Sequence, residues 1–310
     1  MAQLEQSTVK RLDRPAWLPF EEWPFGPRTI AIEGWRVHYL DVGEGPTLLL
    51  VHAGMWSFVW RDVITELQDG FRCVTLDFPG SGLSQPADGP SISGHSRVLE
   101  RFVDELALSE ITFVLHDLGA LIGLAVAARR PELVRALVVT QAFGWRPEQR
   151  ALRRMLALMG SRPIEALNVA TNLVPRLTGT SFGVGRQLTS DGKRAFLGPL
   201  HERAKRRPFH RLMADVRRSD ELLASIERAL QTTLADRPLL TIYGQHNDPF
   251  GFQKRWKELF PAARELVVAK GHHFPMNDDP QLFAHTIREW WREEVERNHC
   301  RRLISERRVL

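Results

Sequence analysis

The stretch that most constrains the fold is Ile111-Thr112-Phe113-Val114-Leu115-His116-Asp117-Leu118-Gly119-Ala120-Leu121-Ile122. Its first half is a short apolar run, rich in β-branched residues and bounded by charge, the pattern of a strand buried on both faces. From Leu118 to about Ala128 the chain is rich in Ala, Leu and Gly and reads as a helix. The two meet at Asp117 with almost no loop. Gly119 and Ala120 are small residues that let helix and strand approach closely. Taken alone, Asp117 is equally well an ordinary helix N-cap, a position where Asp is favoured.

A strand buried on both faces needs helices on either side, and the flanking sequence supplies them. Ile30–Glu33 and Arg36–Leu40 alternate in polarity and predict a hairpin turning at Gly34 and Trp35. Thr47–Val51 and Cys73–Leu76 are apolar strands, and Val134–Val139 follows the central one. Helices are predicted over Asp62–Leu67 and about Ser96–Leu108. Strand and helix alternating in this way predict a mostly parallel sheet with helices on both faces. The alternation stops at Trp145. From there to about Leu234 the pattern is helical, broken by Pro and Gly. Strands resume at Leu239–Tyr243 and Glu265–Val268, and a helix from Pro280 to about Glu296 closes the sheet. The expected organisation is a lead-in (1–29), a core in two parts (30–143 and 236–297), a helical cap between them (144–235) and a basic tail (298–310).

Several function classes fall away on composition. In 310 residues there are two cysteines, Cys73 and Cys300, too few and too far apart for a disulfide framework or a metal site. No run approaches the roughly 18 apolar residues that span a bilayer, and Met1–Arg14 has no signal-peptide core. A cytoplasmic location without membrane attachment is the resulting expectation. The net charge of +5 is concentrated in 144–235, where 15 Arg and 2 Lys face 8 acids. Those arginines are interleaved with Glu and Asp and carry no nucleic-acid motif, so a solvated helical surface is expected rather than a nucleic-acid site.

Three residues competent for nucleophilic chemistry fall just after predicted strands. Asp117 follows the central one. Asp248 follows Leu239–Tyr243 in Gly244-Gln245-His246-Asn247-Asp248-Pro249, and His273 follows Glu265–Val268 in Gly271-His272-His273-Phe274-Pro275. Ligands of open parallel sheets bind beyond the carboxyl ends of the strands, so all three belong to one edge. Their order is nucleophile, acid, base. Asn247 competes with Asp248 only weakly, because an amide cannot supply negative charge. The position after Val134–Val139 offers Thr140, Gln141 and Ala142, without a carboxylate.

These residues carry a resemblance. The strand-to-helix turn resembles the nucleophile elbow of the α/β-hydrolase fold. Within that fold the chain resembles the haloalkane dehalogenases from roughly Pro19 to Trp291. The signatures are Val37-His38-Tyr39-Leu40-Asp41, Leu50-Val51-His52 leading to Trp60-Arg61, and Asp77-Phe78-Pro79-Gly80-Ser81-Gly82. His116-Asp117 with Gly119, His273 with Pro280, and Phe143-Gly144-Trp145 at the start of the cap complete them. The resemblance implies an α/β-hydrolase with a helical cap inserted after the sixth strand. It implies an Asp117–His273–Asp248 triad acting through a covalent ester on a small apolar organic substrate. Neither metal nor organic cofactor is implied. Spacing to Asp279-Pro280 selects His273 over His272, and His52 and His116 are expected to be structural.

The chain departs from the family at two points. Haloalkane dehalogenases typically place Trp directly after the nucleophile and Asn after the His-Gly pair, and these side chains hold the departing halide. Here those positions are Leu118 and Gly54. Their backbone N–H groups still suit an oxyanion hole, while Trp56 and Trp145 are the candidates for a substitute halide grip. Alternatives of the same fold are an epoxide hydrolase and an ester or lactone hydrolase. Epoxide hydrolases resemble the chain at Asp117 but use cap tyrosines, and Tyr39 and Tyr243 lie outside the cap. A non-catalytic hydrolase-fold binding protein is the alternative of a different class.

Overall fold

The computed structural model of the protein describes residues 10–11, 14–87, 91–181 and 183–297. The basic tail expected at 298–310 lies outside the described residues. Nine strands form one sheet: β1 (Lys10–Arg11), β2 (Arg28–Ile32), β3 (Trp35–Val42), β4 (Thr47–Val51), β5 (Arg72–Leu76), β6 (Ile111–His116), β7 (Val134–Thr140), β8 (Leu239–Gly244) and β9 (Arg264–Val268). Their spatial order is β1-β2-β3-β5-β4-β6-β7-β8-β9. The pairs from β1 to β3, and β3 with β5, are antiparallel; every pairing beyond is parallel. The first hairpin turns one residue earlier than expected, at Glu33 and Gly34. Both have positive φ (48° and 81°), as a two-residue turn matched to strand twist requires.

Alternation along the strands divides the core into two layers. Leu49, Val51, Phe113, Leu115, Leu137 and Val139 face one side, with helices α2 (Ile92–Glu105) and α3 (Leu118–Arg129). Leu48, Leu50, Val114, Ala136 and Val138 face the other, with α1 (Arg61–Leu67) and Pro280–Trp290. Successive side chains of a strand point to opposite faces, so fully apolar strands need both layers. The lead-in belongs to the second layer. Trp23 is fully buried and its ring stacks on Phe58 and tilts against Trp56. The Arg14 guanidinium donates to the Trp23 and Phe25 carbonyls at 2.6 and 3.0 Å.

The helical insertion follows β7, which is the sixth strand once the two-residue β1 is set aside. It contains α4 (Arg150–Met159), α5 (Arg162–Thr171), α6 (Leu173–Thr178), α7 (Ser190–Leu197), α8 (Pro208–Val216) and α9 (Asp220–Gln231). Leu152 and Leu156 of α4 and Leu212 and Met213 of α8 turn inward and roof the sheet edge. The last helix, α9, lies against α3 through Leu223, Ile226 and Leu230, so the end of this segment packs on the sheet's helical layer. After β8 come α10 (Phe252–Leu259), α11 (Pro275–Asp278) and α12 (Pro280–Trp290). The carboxyl ends of β4, β6, β7, β8 and β9 thus meet beneath the cap.

Candidate active site

Asp117 sits between β6 and α3 at φ 49°, ψ −132°. A side chain other than glycine is strained there, and the surroundings must impose the conformation. They do so by compression. A Cβ on Gly119 would lie 2.6 Å from the Val51 carbonyl oxygen and 2.7 Å from the His52 Cα, so α3 starts in direct contact with the end of β4. The Ala120 N–H donates to the Asp117 carbonyl at 3.0 Å, closing the first turn of the helix behind it. The Asp117 side chain makes no N-cap hydrogen bond to the first turn of α3 beyond its interaction with the adjacent Leu118 N–H. The ordinary N-cap role is therefore not what its carboxylate does.

His273 Nε2 lies 3.7 Å from Asp117 Oδ2, an ion-pair separation longer than a hydrogen bond. Burial alone would raise the Asp117 carboxyl, but interaction with His273, then with His116 and the Leu118 N–H, holds it below the usual carboxylate range. The nucleophile candidate is thus an anion at neutral pH. Behind it, His116 Nε2 donates to the His273 carbonyl at 2.8 Å, which leaves His116 Nδ1 to accept from His52 Nδ1 at 3.0 Å. Burial, and then the charge of His273, push His52 down to about 3 and His116 well below the ordinary range. Both stay neutral and fix the His273 backbone, the structural part expected of them.

The expected acid does not reach the histidine. Asp248 turns away: Oδ1 accepts from the Phe252 N–H at 2.8 Å and Oδ2 from the Gln253 N–H at 3.0 Å, capping α10. Two exposed N–H groups at a helix start attract the carboxylate, and the side chain spends both oxygens on them. The residue that faces His273 Nδ1 is Asn247, whose Nδ2 lies 3.0 Å away. Asn247 Nδ2 also donates to Gln141 Oε1 at 3.1 Å, and Gln141 Nε2 donates to the His272 carbonyl at 3.3 Å. Gln141 stands directly after β7 at φ 49°. Sequence had offered Asn247 as a weak competitor and Gln141 only as a non-carboxylate, because neither amide brings charge. The signal was their place at strand ends.

The halide candidates are also elsewhere. Trp56 is buried and its Nε1 donates to the Phe196 carbonyl at 2.9 Å. Trp145 packs edge-on against Trp256, with the Arg255 guanidinium 4.6 Å from its ring centroid. Neither lines the cavity at Asp117. That cavity measures about 180 Å³ and is walled by Leu118, Phe143, Leu152, Leu156, Met213 and Phe252, with Asp117, Gln141, Asn247 and His273 at its polar end. It is smaller than the roughly 300–1,000 Å³ of sites for drug-sized ligands. Gly54 has φ 91°, and a Cβ there would lie 2.7 Å from Cδ2 of Phe209 in the cap. A ring from the cap therefore occupies the space beside Gly54 into which a larger side chain at that position would grow.

Comparison with known proteins gives these features a family. The α/β hydrolase fold model matches residues 46–280. Haloalkane dehalogenase 2 of Mycobacterium tuberculosis is 31% identical over 274 residues, which is 86% of this chain and 95% of that protein. The chain belongs to the α/β-hydrolase fold family, in its haloalkane dehalogenase-like branch. The hydrolase is also 29% identical over 279 residues to the cis-3-alkyl-4-alkyloxetan-2-one decarboxylase of Shewanella oneidensis, covering 82% of this chain and 85% of that one. A crystal structure of a haloalkane dehalogenase loop variant from Bradyrhizobium elkanii superposes with a TM-score of 0.76 at 20% identity. The match covers 88% of this hydrolase and 98% of that chain, a likeness of fold. Among the described residues, no helix of the hydrolase is long and apolar enough to cross a membrane, and no group of three or more His, Cys, Asp or Glu is placed to hold a metal.

Proposed function

We propose that Asp117 is the nucleophile of a haloalkane dehalogenase-type enzyme that acts on a small apolar electrophile through a covalent enzyme ester. The observation that carries this reading is a strained, anionic Asp117 with His273 Nε2 3.7 Å away, at the polar end of an apolar cavity. A carboxylate placed this way attacks saturated carbon: the Asp117 oxygen–carbon bond forms as the carbon–halogen bond breaks, and halide departs. Water then attacks the Asp117 acyl carbon. The alcohol leaves, and the water proton passes by way of His273. The Leu118 and Gly54 N–H groups are assigned to the oxyanion of that second step.

A second reading is favoured by a specific set of observations. The positions after the nucleophile and after His52-Ala53 hold Leu118 and Gly54, Phe209 fills the space beside Gly54, and Trp56 is committed to Phe196. Each charge-assisted hydrogen bond withheld from a departing halide costs about 1.5–3 kcal/mol. A strained cyclic ester, such as the oxetan-2-one in the name of one relative, keeps its leaving oxygen within the substrate and releases no halide.

One panel separates these. Purified protein is given 1-iodo-, 1-bromo- and 1-chlorobutane, a four-membered lactone, an epoxide and a short ester. Halide release, acid release and lactone loss are followed. The first reading expects iodide over bromide over chloride, with Asp117→Ala silent on all. Lactone loss without halide release would replace it by the second. Turnover that survives Asp117→Ala would remove Asp117 from the chemistry altogether.

A further inference from the structure

The partners of His273 are amides where a carboxylate was expected, and their order fixes a proton. The chain is anchored at the His272 carbonyl, a backbone oxygen that only accepts. It lies 3.3 Å from a Gln141 side-chain terminus, which must therefore be the Nε2 donor. The Gln141 oxygen then faces Asn247 at 3.1 Å, so Asn247 must present Nδ2 to it. The second hydrogen of that NH₂ group points to His273 Nδ1 at 3.0 Å. Turning Asn247 over would set its oxygen against the Gln141 oxygen. Turning Gln141 as well would set that oxygen against the His272 carbonyl. Each alternative sets two acceptors against each other at a part-buried contact and leaves hydrogen bonds unmade. The His272 carbonyl is itself held in place, because the His272 N–H donates to Asp278 Oδ2 at 2.6 Å.

We propose that Gln141 and Asn247 are positioning residues that hold His273 as its Nε2–H tautomer, so that the ring donates toward Asp117 and the reacting centre instead of taking a proton from water there. This rests on Asp117 and His273 being the reacting pair. The consequence falls on the second half of the reaction. To cleave the Asp117 ester, water oxygen bonds to the acyl carbon, the acyl–alkoxy bond breaks, and one water proton must leave for a base before it reaches the alkoxide. With Nε2 already protonated, His273 cannot be that base until its tautomer changes. Replacing the acid of a serine-protease triad by an amide imposes the wrong tautomer and lowers turnover about 10⁴-fold. This hydrolase carries that arrangement natively. Once covalent enzyme has formed, this arrangement is expected to release it slowly.

The test reads the tautomer directly. The full-length protein, labelled with ¹⁵N at histidine, is examined by long-range proton–nitrogen correlation above the titration range. The His273 pattern is assigned by its loss in His273→Gln. The wild type is expected to show Nε2–H, and Nδ1–H in the wild type overturns the proposal without any variant. Gln141→Ala should shift His273 toward Nδ1–H, because Asn247 is then free to turn its oxygen to the ring. An unchanged tautomer overturns the role of Gln141. In the Gln141→Ala background, Asn247→Asp should give Nδ1–H outright and speed decay of covalent enzyme about 10³–10⁴-fold, followed by intact-protein mass after a single addition of 1-iodobutane and, separately, of a four-membered lactone. Unchanged decay with the tautomer switched overturns the kinetic consequence. No covalent enzyme in any variant removes Asp117 as nucleophile, a failure of the functional reading that leaves the tautomer result standing.

Discussion

At the scale of single residues, the site turns on one position. Asp248 and Asn247 are neighbours after β8, and their side chains diverge: one to the start of α10, the other to His273. Asp248→Ala should therefore behave as a lost helix cap, costing about 0.5–2 kcal/mol in urea unfolding and leaving the decay of covalent enzyme unchanged. A loss of several orders of magnitude in that decay would mean Asp248 reaches His273 in the working enzyme. Sequence could name both residues and their strand end. It could not tell which of them the turn from Gly244 aims inward, because that depends on backbone angles and on the competing pull of two helix N–H groups. Trp56 and Trp145 failed for a related reason. A tryptophan near a site is as readily core, and the Phe196 carbonyl and the Trp256 ring claim these two. The place of Asp117 at an abrupt strand-to-helix turn was legible from apolar periodicity, whereas the choice of His273 over its neighbour His272 came only from the spacing that the family resemblance implies.

Elements tell the opposite story, since their existence follows from patterns that tertiary packing reinforces. Every strand expected from Thr47 to Val268 is present within a residue or two, and the two-sided burial of β6 is what the unbroken run Ile111–His116 demanded. What periodicity could not supply is the closeness of α3 to β4, and the glycines measure it. The contact that a Cβ on Gly119 would make is with backbone, at 2.6 Å from the Val51 oxygen. On Gly123 it would be with the far end of the Leu115 side chain, Cδ2 at 2.4 Å, a rotatable group rather than backbone. Gly119→Ala should thus cost about 1–3 kcal/mol through overpacking and push Asp117 off its elbow geometry, abolishing covalent capture. Gly123→Ala should cost clearly less, since a gain of up to about 1 kcal/mol in helix propensity offsets the repacking. Equal losses in both would mean that α3 is free to shift as a unit, and that the elbow is not compressed.

Across the whole molecule, buried neutral histidines set the response to acid. Burial holds His52 down to about 3 and His95 down to about 4, and holds His116 well below the ordinary range. Each has a folded pKa below its unfolded value of about 6.5. As pH falls through that value the unfolded chain takes up protons that the folded one refuses, so stability drops with falling pH until the folded groups titrate. The ceiling is about 1.4 kcal/mol per pH unit for each such histidine. The depressed carboxylates Asp77 and Asp117 act in another window. Their contribution is complete above the unfolded value near 4 and is lost only below it. Between pH 6.5 and 4.5 the decline accordingly belongs to histidines, and the urea midpoint should fall steeply there while staying nearly level from pH 8 to 7. His95 is the cleanest one to remove. It lies 4.8 Å from the Phe78 ring, and its Nδ1 has no partner among the described residues. His95→Phe should lower the slope by about one third of the part carried by these three groups, with little change at pH 8. A midpoint that stays flat to pH 5 would show that water reaches these rings, and that the edge of the sheet beneath the cap is not sealed.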